Sequence, residues 1–321
     1  MEDNNDNGIF LFTGNPEQFV PLGVTHVEVQ EGVTIIREKA FWCRLHLISV
    51  RIPASVRIIE AGAFFRCVSL EFVTFSGGLE EIGEFSFRYC SSLSSLNIPI
   101  TVRAIGHWAF SDCTSLRSVA LPVGLKSIED GMFKDCKSLQ TVKVPCTVER
   151  ILEYAFYNCN SLQSLEMSEG VKEIGNWAFY HCTSLKTLQI PSSVETICHR
   201  AFERCTELGT VFLPIGLKRH GRRVFSGNDE VNSVRLAISK TRYFELLCKD
   251  DIPEQDENRD LVVRGDWSKE MLRVFQAAHV LVYEPLPLNH LPMLLERCTS
   301  QPDAIFYFLS RKNFQLCHSK P

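Results

Sequence analysis

The sequence predicts an α/β repeat solenoid, with a parallel β-sheet on the concave face, short helices opposite and a small α-helical segment at the C-terminus. Phenylalanine recurs at nine positions that are 23 residues apart every time, and the columns between them repeat as well. A fixed period of about 20 to 50 residues is typical of stacked repeats, because one such unit cannot bury its own apolar face. The nine positions are Phe41, Phe64, Phe87, Phe110, Phe133, Phe156, Phe179, Phe202 and Phe225.

Each repeat predicts one strand with the pattern L-x-x-V/L-x-L/I, the strand signature of a leucine-rich repeat. A leucine lies six residues after each phenylalanine from Leu47 to Leu208, and large apolar residues fill the columns three and five positions further on. A half-copy, THVEVQEGVTII, adds Val27 and Val29 in the same register. The pattern therefore predicts about ten strands from Val27 to Leu236.

A second apolar column consists of isoleucine, which recurs from Ile59 to Ile197 at the same spacing. It lies directly before segments such as GNWAF, whose apolar residues have helical spacing, so we expect one short helix per repeat. Proline follows the strand in six copies. Because proline has no N–H, it ends a parallel ladder without leaving a donor unpaired.

The repeat closely resembles the BspA-like leucine-rich repeat family. The segments AFSDCTSLRSVALPVGLKSI and AFYHCTSLKTLQIPSSVETI carry its combination AFxxCxSLxxVxLPxxVxxIG, and the resemblance covers residues 21–239. It implies a right-handed solenoid of the kind that serves as a surface-binding or protein-interaction module without a conserved active site.

The end of the repeats divides the chain into three parts. We expect an N-terminal tail or cap over 1–20, the solenoid over 21–239 and a helical cap or module over 240–321. The acidic stretch DDIPEQDENRD, from Asp250 to Asp260, predicts an exposed loop or linker. Helical spacing then resumes from Met271, and those helices either close the last repeat or dock a partner.

Charge and hydropathy argue against several partner classes. A formal net charge of −4 provides no overall attraction to nucleic acid or anionic membranes, so neither is expected as a partner. No apolar run approaches the roughly 18 residues that span a bilayer, and the acidic start MEDNNDNGIFLF lacks the basic region of a secretory signal. We expect a cytoplasmic protein, with the run LKRHGRR, through Arg223, as a weak indication of a nuclear location or an anion-binding patch.

Cysteine is frequent, with 13 residues, and its spacing indicates a structural role. Seven cysteines, from Cys67 to Cys205, lie three residues after a phenylalanine and are expected to form a ladder of buried, reduced thiols. Neighbouring repeats would place these cysteines within disulfide range, so oxidation is an alternative if the chain is exported.

One cluster needs separate consideration, because His181 and Cys182 are adjacent and Cys198, His199 and Cys205 follow. A thiol-redox or zinc-binding protein using the Cys182–Cys205 region is therefore an alternative function. His181 occupies a variable column, however, which favours a surface position, and no P-loop, GxGxxG, HExxH or GxSxG motif occurs. The sequence thus predicts no enzyme, catalytic residue, cofactor or metal site.

Binding is expected on the concave sheet, where every second strand residue faces outward. One outward column, from Ser49 to Ser233, is nearly all hydroxyl and is suited to cross-strand hydrogen bonds. The other column varies among otherwise similar copies, so the fold imposes no residue there. We predict a non-enzymatic scaffold that binds a protein partner, with a glycan as the other ligand class and a secreted or surface adhesin as the alternative role. The candidate partner-binding residues are Arg51, Asn97, Lys143, Glu166, Thr187, Gln189, Phe212 and Arg235.

Overall fold

The computed structural model describes residues 8–214, 217–228 and 233–237, with Thr210 and residues 233–237 described by their backbone alone. These residues contain twenty short strands and no helix. In chain order the strands are β1 (Phe10–Phe12), β2 (His26–Val29), β3 (Ile35–Ile36), β4 (Ser49–Ile52), β5 (Ile58–Ile59), β6 (Phe72–Phe75), β7 (Glu81–Ile82), β8 (Ser95–Asn97), β9 (Ala104–Ile105), β10 (Ser118–Ala120), β11 (Ser127–Ile128), β12 (Thr141–Val144), β13 (Arg150–Ile151), β14 (Ser164–Met167), β15 (Glu173–Ile174), β16 (Thr187–Gln189), β17 (Thr196–Ile197), β18 (Thr210–Pro214), β19 (Arg219–His220) and β20 (Ser233–Ala237).

The main sheet consists of β1 and all even-numbered strands, and every pair within it is parallel. Strands pair one repeat apart, as in Val119↔Val142. The hydrogen-bonded orders are β1-β2-β4-β6, β8-β10-β12-β14 and β16-β18-β20, and β6 lies beside β8 as β14 lies beside β16. The predicted parallel-strand solenoid is confirmed, with its ten strands. Strand β1, which pairs with β2 at Phe10↔Val27, was not predicted from the sequence.

The second sheet consists of the odd-numbered strands from β3 to β19, each two residues long. Its ladders run in the orders β3-β5-β7-β9 and β11-β13-β15-β17-β19. The predicted isoleucine column forms its inner face, where Ile59, Ile128 and Ile151 are fully buried. The column therefore pairs by backbone hydrogen bonds as well as packing in the core, as at Ile151↔Ile174.

The core between the two sheets contains the nine repeating phenylalanines, all of them fully buried. Successive rings from Phe41 to Phe225 stack with centroids 4.9–5.6 Å apart and interplanar angles of 0–15°. Phe12 of β1 lies 4.9 Å from Phe41 at a tilt of 56°, so β1 closes the N-terminal end of the stack. The spacing matches that of paired strands, so each repeat places one ring on the next.

The predicted short helices opposite the main sheet are wrong, because the segments around each phenylalanine are successive turns. The residues two positions before and two positions after each phenylalanine have φ between 51° and 73°. Residues at such positions include Trp108, Tyr154 and Trp177, although side chains with a Cβ rarely adopt this left-handed conformation. A right-handed helix needs negative φ at every residue, so it cannot form here.

Backbone hydrogen bonds explain why the turns replace a helix. Trp42 and Arg44 donate their N–H groups within their own repeat, to Lys39 and Phe41. Phe41 and Cys43, the residues directly before these two, donate their N–H groups to carbonyls of the next repeat, at N···O distances of 2.7 and 2.8 Å. A helix would satisfy these groups only internally. The turns therefore add a third line of hydrogen bonds between repeats, and the apolar spacing of the sequence fits both conformations.

Gly131 is expected to tolerate no side chain. Its φ is +57°, and a Cβ there would lie 2.3 Å from the ring of Trp108. We expect Gly131→Ala to lower the free energy of unfolding in urea by about 1 to 3 kcal/mol, because strain and overlap add. Gly23→Ala is the matched control, since no atom lies within 4 Å of its Cβ position and its φ is not positive. Equal effects of the two substitutions would contradict this account.

The predicted helical segment over 240–321 lies outside the described residues. Within the residues that the structure describes, no helix is long and apolar enough to cross a membrane.

Candidate functional site

The outward column of the main sheet carries the variable side chains that the sequence analysis selected. Arg51, Asn97, Lys143, Glu166 and Gln189 are exposed, and the buried residues of the same strands alternate with them. The predicted inward and outward alternation is therefore confirmed for these strands. Strand pairing brings these side chains into one row along the sheet, at one position per repeat.

The remaining candidates differ in their surroundings. Thr187 is exposed and belongs to the hydroxyl column, two residues before Gln189. Phe212 is half-buried and pairs with Gln189 across β16 and β18. Arg235 lies on β20, of which the backbone alone is described. The structure thus brings the described candidates onto one face, and their role in binding stays a prediction.

Charged residues of the row occur as cross-strand pairs. Lys143 Nζ lies 3.9 Å from Glu166 Oε2, and the two side chains are 78% and 68% exposed. Arg51 likewise lies 3.6 Å from Glu28. Exposed pairs of this kind stabilise a fold by at most about 1 kcal/mol. Charged groups of a partner can therefore replace these ion pairs with little loss of stability. The candidate set omitted Glu28, which the 23-residue register places opposite Arg51.

Between the two ion pairs the face is uncharged, with Asn97 and Ala120 in the variable row. In the adjacent column the hydroxyls of Ser95, Ser118 and Thr141 form no hydrogen bond with one another in the described strands. The expected cross-strand hydroxyl bonds are therefore not formed among these three residues. A different contact occurs at the N-terminal end, where His26 Nδ1 lies 2.7 Å from Ser49 Oγ.

Phe72 departs from the hydroxyl column, and its ring is 55% exposed on the outward face. It pairs with Ser49 across β4 and β6. Exposed aromatic rings are frequent anchors in protein interfaces. The candidate set omitted Phe72, although a single aromatic residue in a column of hydroxyls was a visible signal.

The cysteine ladder lies behind this face, fully buried in the core. Each of its thiols donates a hydrogen bond to the carbonyl of the phenylalanine 26 residues earlier, as Cys182 Sγ does to Phe156 O at 3.3 Å. The equivalent position in the last repeat is Asn228, whose Nδ2 donates to Phe202 O at 2.9 Å. The ladder therefore satisfies buried backbone carbonyls, a role that the sequence analysis had assigned to packing alone.

Burial determines the acidity of these thiols. It raises the pKa of Cys67 and of Cys205 to about 12, because the thiolate would lose its hydration. Burial also holds the pKa of Cys90 and of Cys182 well above the usual range, and the neighbouring thiols add to the shift. The thiolate is the reactive form of cysteine, so these groups are poor nucleophiles at neutral pH.

His181 and Cys182 point to different partners. His181 Nδ1 lies 2.8 Å from Asn158 Oδ1 on the half-buried turn surface, whereas the thiol of Cys182 contacts a core carbonyl. Cys198 is half-buried and donates to Glu173 Oε1 at 3.7 Å. Among the described residues no group of three or more His, Cys, Asp or Glu side chains is arranged to hold a metal ion. The geometry therefore does not favour the redox or zinc alternative.

Comparisons with known proteins agree with this architecture. The profile described as "BspA type Leucine rich repeat region" matches six copies, over residues 34–162 and 132–245. No curated protein sequence matches the chain. A crystal structure of a leucine-rich repeat protein from Bacteroides ovatus is 24% identical, with a TM-score of 0.54, over 73% of this chain and 65% of that chain. The chain thus spans about 65% of the length of that protein, and the likeness concerns the fold.

Two further solved structures are similar in sequence. The leucine-rich repeat protein of T. pallidum is 30% identical over 55% of this chain and 82% of that chain, with a TM-score of 0.49. The pneumococcal vaccine antigen PcpA is 26% identical over 67% of this chain and 57% of that chain, with a TM-score of 0.47.

Proposed function

Because the chain belongs to the BspA-type leucine-rich repeat family, we propose that it is an interaction scaffold that binds a protein partner on the outward face of its main sheet. The observation that carries this proposal is the variable row of exposed side chains on a backbone that is otherwise the same in every repeat. Variation of this kind lets each position of one rigid surface be chosen separately for recognition.

The rigidity of the face supports binding. Each even-numbered strand from β2 to β18 is held by neighbours on both sides, and inward residues such as Val142 and Leu188 are buried in the core. Little conformational entropy is lost when side chains on such a frame are covered, and this lowers the cost of association. The pattern of an uncharged centre beside the Lys143–Glu166 pair suits a polar protein surface with one charged contact of each sign.

Replacing Lys143, Glu166 and Gln189 together by alanine is expected to weaken partner binding by about tenfold or more, because a minority of interface residues cost over 1 kcal/mol each when truncated and one such residue among the three is enough. The three residues are exposed, so the free energy of unfolding should change little. Affinity capture from the native cell with the wild-type chain identifies the partner, and titration with the purified partner measures the loss.

The matched control replaces Arg103, Lys126 and Glu149, which directly precede β9, β11 and β13 of the second sheet, by alanine. These residues are also exposed, and binding should be retained. Unchanged affinity of the main-sheet variant for the captured partner, or equal losses in both variants, would rule out the main-sheet face. Capture of a glycan in place of a protein would support the other ligand class. The proposed cytoplasmic location is tested separately, by imaging the tagged full-length chain.

A further inference from the structure

The first strand of the second sheet, β3, has one free edge within the described residues. It pairs there with β5 alone, whereas the equivalent edge of the main sheet is covered by β1, which pairs with β2. A cavity of about 490 Å³ lies beside β3 and is lined by Thr13, Gly14, residues 32–35, Arg37 and Glu60. We call this cavity the β3 edge groove.

Backbone hydrogen bonds join each later repeat of the second sheet to the repeat before it. The N–H groups of Arg57 and Glu60 donate to the carbonyls of Thr34 and Ile36, both at an N···O distance of 2.8 Å. The equivalent N–H groups of the later described repeats form the same bonds, except in the repeat that contains Lys126, where the ladder is interrupted between β9 and β11. Each repeat therefore normally offers two carbonyls to the next one.

In the first repeat the equivalent donors lack such acceptors. They are the N–H groups of Thr34 and Arg37, which precede Arg57 and Glu60 by one repeat, and neither forms a hydrogen bond with another described residue. Both residues line the β3 edge groove. Unpaired donors along a strand edge are a template for an added strand, because an incoming backbone can supply the missing carbonyls.

The side chains at this edge indicate which segment would fit. Ile35 is 37% exposed, whereas Ile36 is fully buried by the chain's own residues, so the position beside Ile36 has room only for a small side chain. Arg37 is exposed and forms no ion pair with another described residue, while Glu60 Oε2 accepts the N–H of Glu38 at 2.8 Å. An acidic side chain beside Arg37 would therefore form a favourable cross-strand pair.

We propose that the β3 edge groove binds an extended segment of a protein partner, which adds a strand parallel to β3. The segment supplies two carbonyls to the N–H groups of Thr34 and Arg37, in the register that the later repeats use among themselves. It carries an apolar residue beside Ile35, a small residue beside Ile36 and an acidic residue beside Arg37. This contact is independent of the main-sheet face.

Titration of the full-length, ¹⁵N-labelled chain with the capped peptide GKVAED tests the proposal by NMR. The valine, alanine and glutamate of this probe match the three positions beside β3. We expect the amide resonances of Thr34 and Arg37 to shift saturably, because both N–H groups gain acceptors. A second probe, N-methylated at the alanine, lacks the N–H that parallel pairing directs to the carbonyl of Ile35. It should bind about tenfold more weakly.

Charge reversal tests the predicted ion pair. Arg37→Glu should bind the probe about fivefold more weakly, and a probe with lysine in place of its glutamate should recover the loss. The matched control Arg103→Glu changes another exposed arginine beside the second sheet, and it should bind the probe as the wild type does. The alanine variant of Lys143, Glu166 and Gln189 should also bind the probe normally, so failure of the main-sheet proposal remains distinguishable from failure of this one.

Several results would overturn the proposal. The absence of a saturable shift at Thr34 and Arg37, or equal binding of the N-methylated probe, would rule out strand addition. Binding of the probe only by the variant Glu2→Gln/Asp3→Asn/Asp6→Asn would assign the groove to the chain's own N-terminus. Concentration-dependent self-association that displaces the probe would assign the edge to a second copy of the chain.

Discussion

Raising the pH from 9 to 10 is expected to lower the free energy of unfolding by about 7 kcal/mol, or about 1 kcal/mol for each of the seven ladder thiols. A free thiol with a pKa of 9.0 ionises in this range in the unfolded chain. In the folded chain burial holds the thiols protonated, with the pKa of Cys67 and of Cys205 raised to about 12.

The direction follows from proton binding. Because the pKa is raised in the folded state, the folded chain binds more protons above pH 9, and stability decreases as the pH rises. The stabilising contribution is complete below pH 9 and is lost progressively toward pH 12. Burial also raises the pKa of Tyr154 and of Tyr157, but their ordinary value of 10.0 places their contribution at higher pH.

Urea unfolding at pH 8, 9 and 10 measures this loss. The control Cys113→Ala/Cys159→Ala removes two of the seven thiols, so the decrease between pH 9 and 10 should shrink by about two-sevenths, whatever the variant costs at pH 8. An unchanged decrease in the control would mean that other groups cause the alkaline unfolding.

Phe156→Ala is expected to cost about 3 to 5 kcal/mol, because it leaves a cavity in the middle of the phenylalanine stack. The ring is fully buried between Phe133 at 5.3 Å and Phe179 at 5.1 Å. In a repeat protein, stability depends on the contacts between neighbours, so a gap at the centre weakens the coupling of both halves.

The control for this variant is Phe72→Ala, which removes the same ring from an exposed position. Its free energy of unfolding should stay within about 0.5 kcal/mol of the wild type. Thermal and urea unfolding compare the two variants directly, and similar losses in both would refute a specific role for the stack.

The sequence predicted the repeating columns well, because burial leaves a chemical pattern. Phe156, Val142 and Ile151 belong to columns of one residue type or a few similar types, and all three are buried as expected. The same alternation located the exposed row, including Lys143 and Gln189. A side chain that must face the core is restricted in chemistry, and its neighbours on the strand must then face outward.

The turns around each phenylalanine were not predictable in the same way. The apolar residues of GNWAF fit the spacing of a helix, but Trp177 adopts a φ of 51°. Backbone conformation here is determined by hydrogen bonds to the next repeat, such as Phe41 N–H to Ala63 O. The repeating side-chain columns do not indicate which carbonyl accepts the hydrogen bond of a given backbone N–H.

The sequence by itself determined the period, the parallel strands, the buried columns and the exposed row, since each depends on which side chains avoid water. Tertiary structure decided the turns, the second sheet and the thiol bonds to buried carbonyls, since these depend on backbone groups of adjacent repeats meeting at hydrogen-bond distance. The same distinction applies to charge: the composition shows a net charge of −4, but only stacking shows that Lys218 lies 2.9 Å from Glu195 of the preceding repeat.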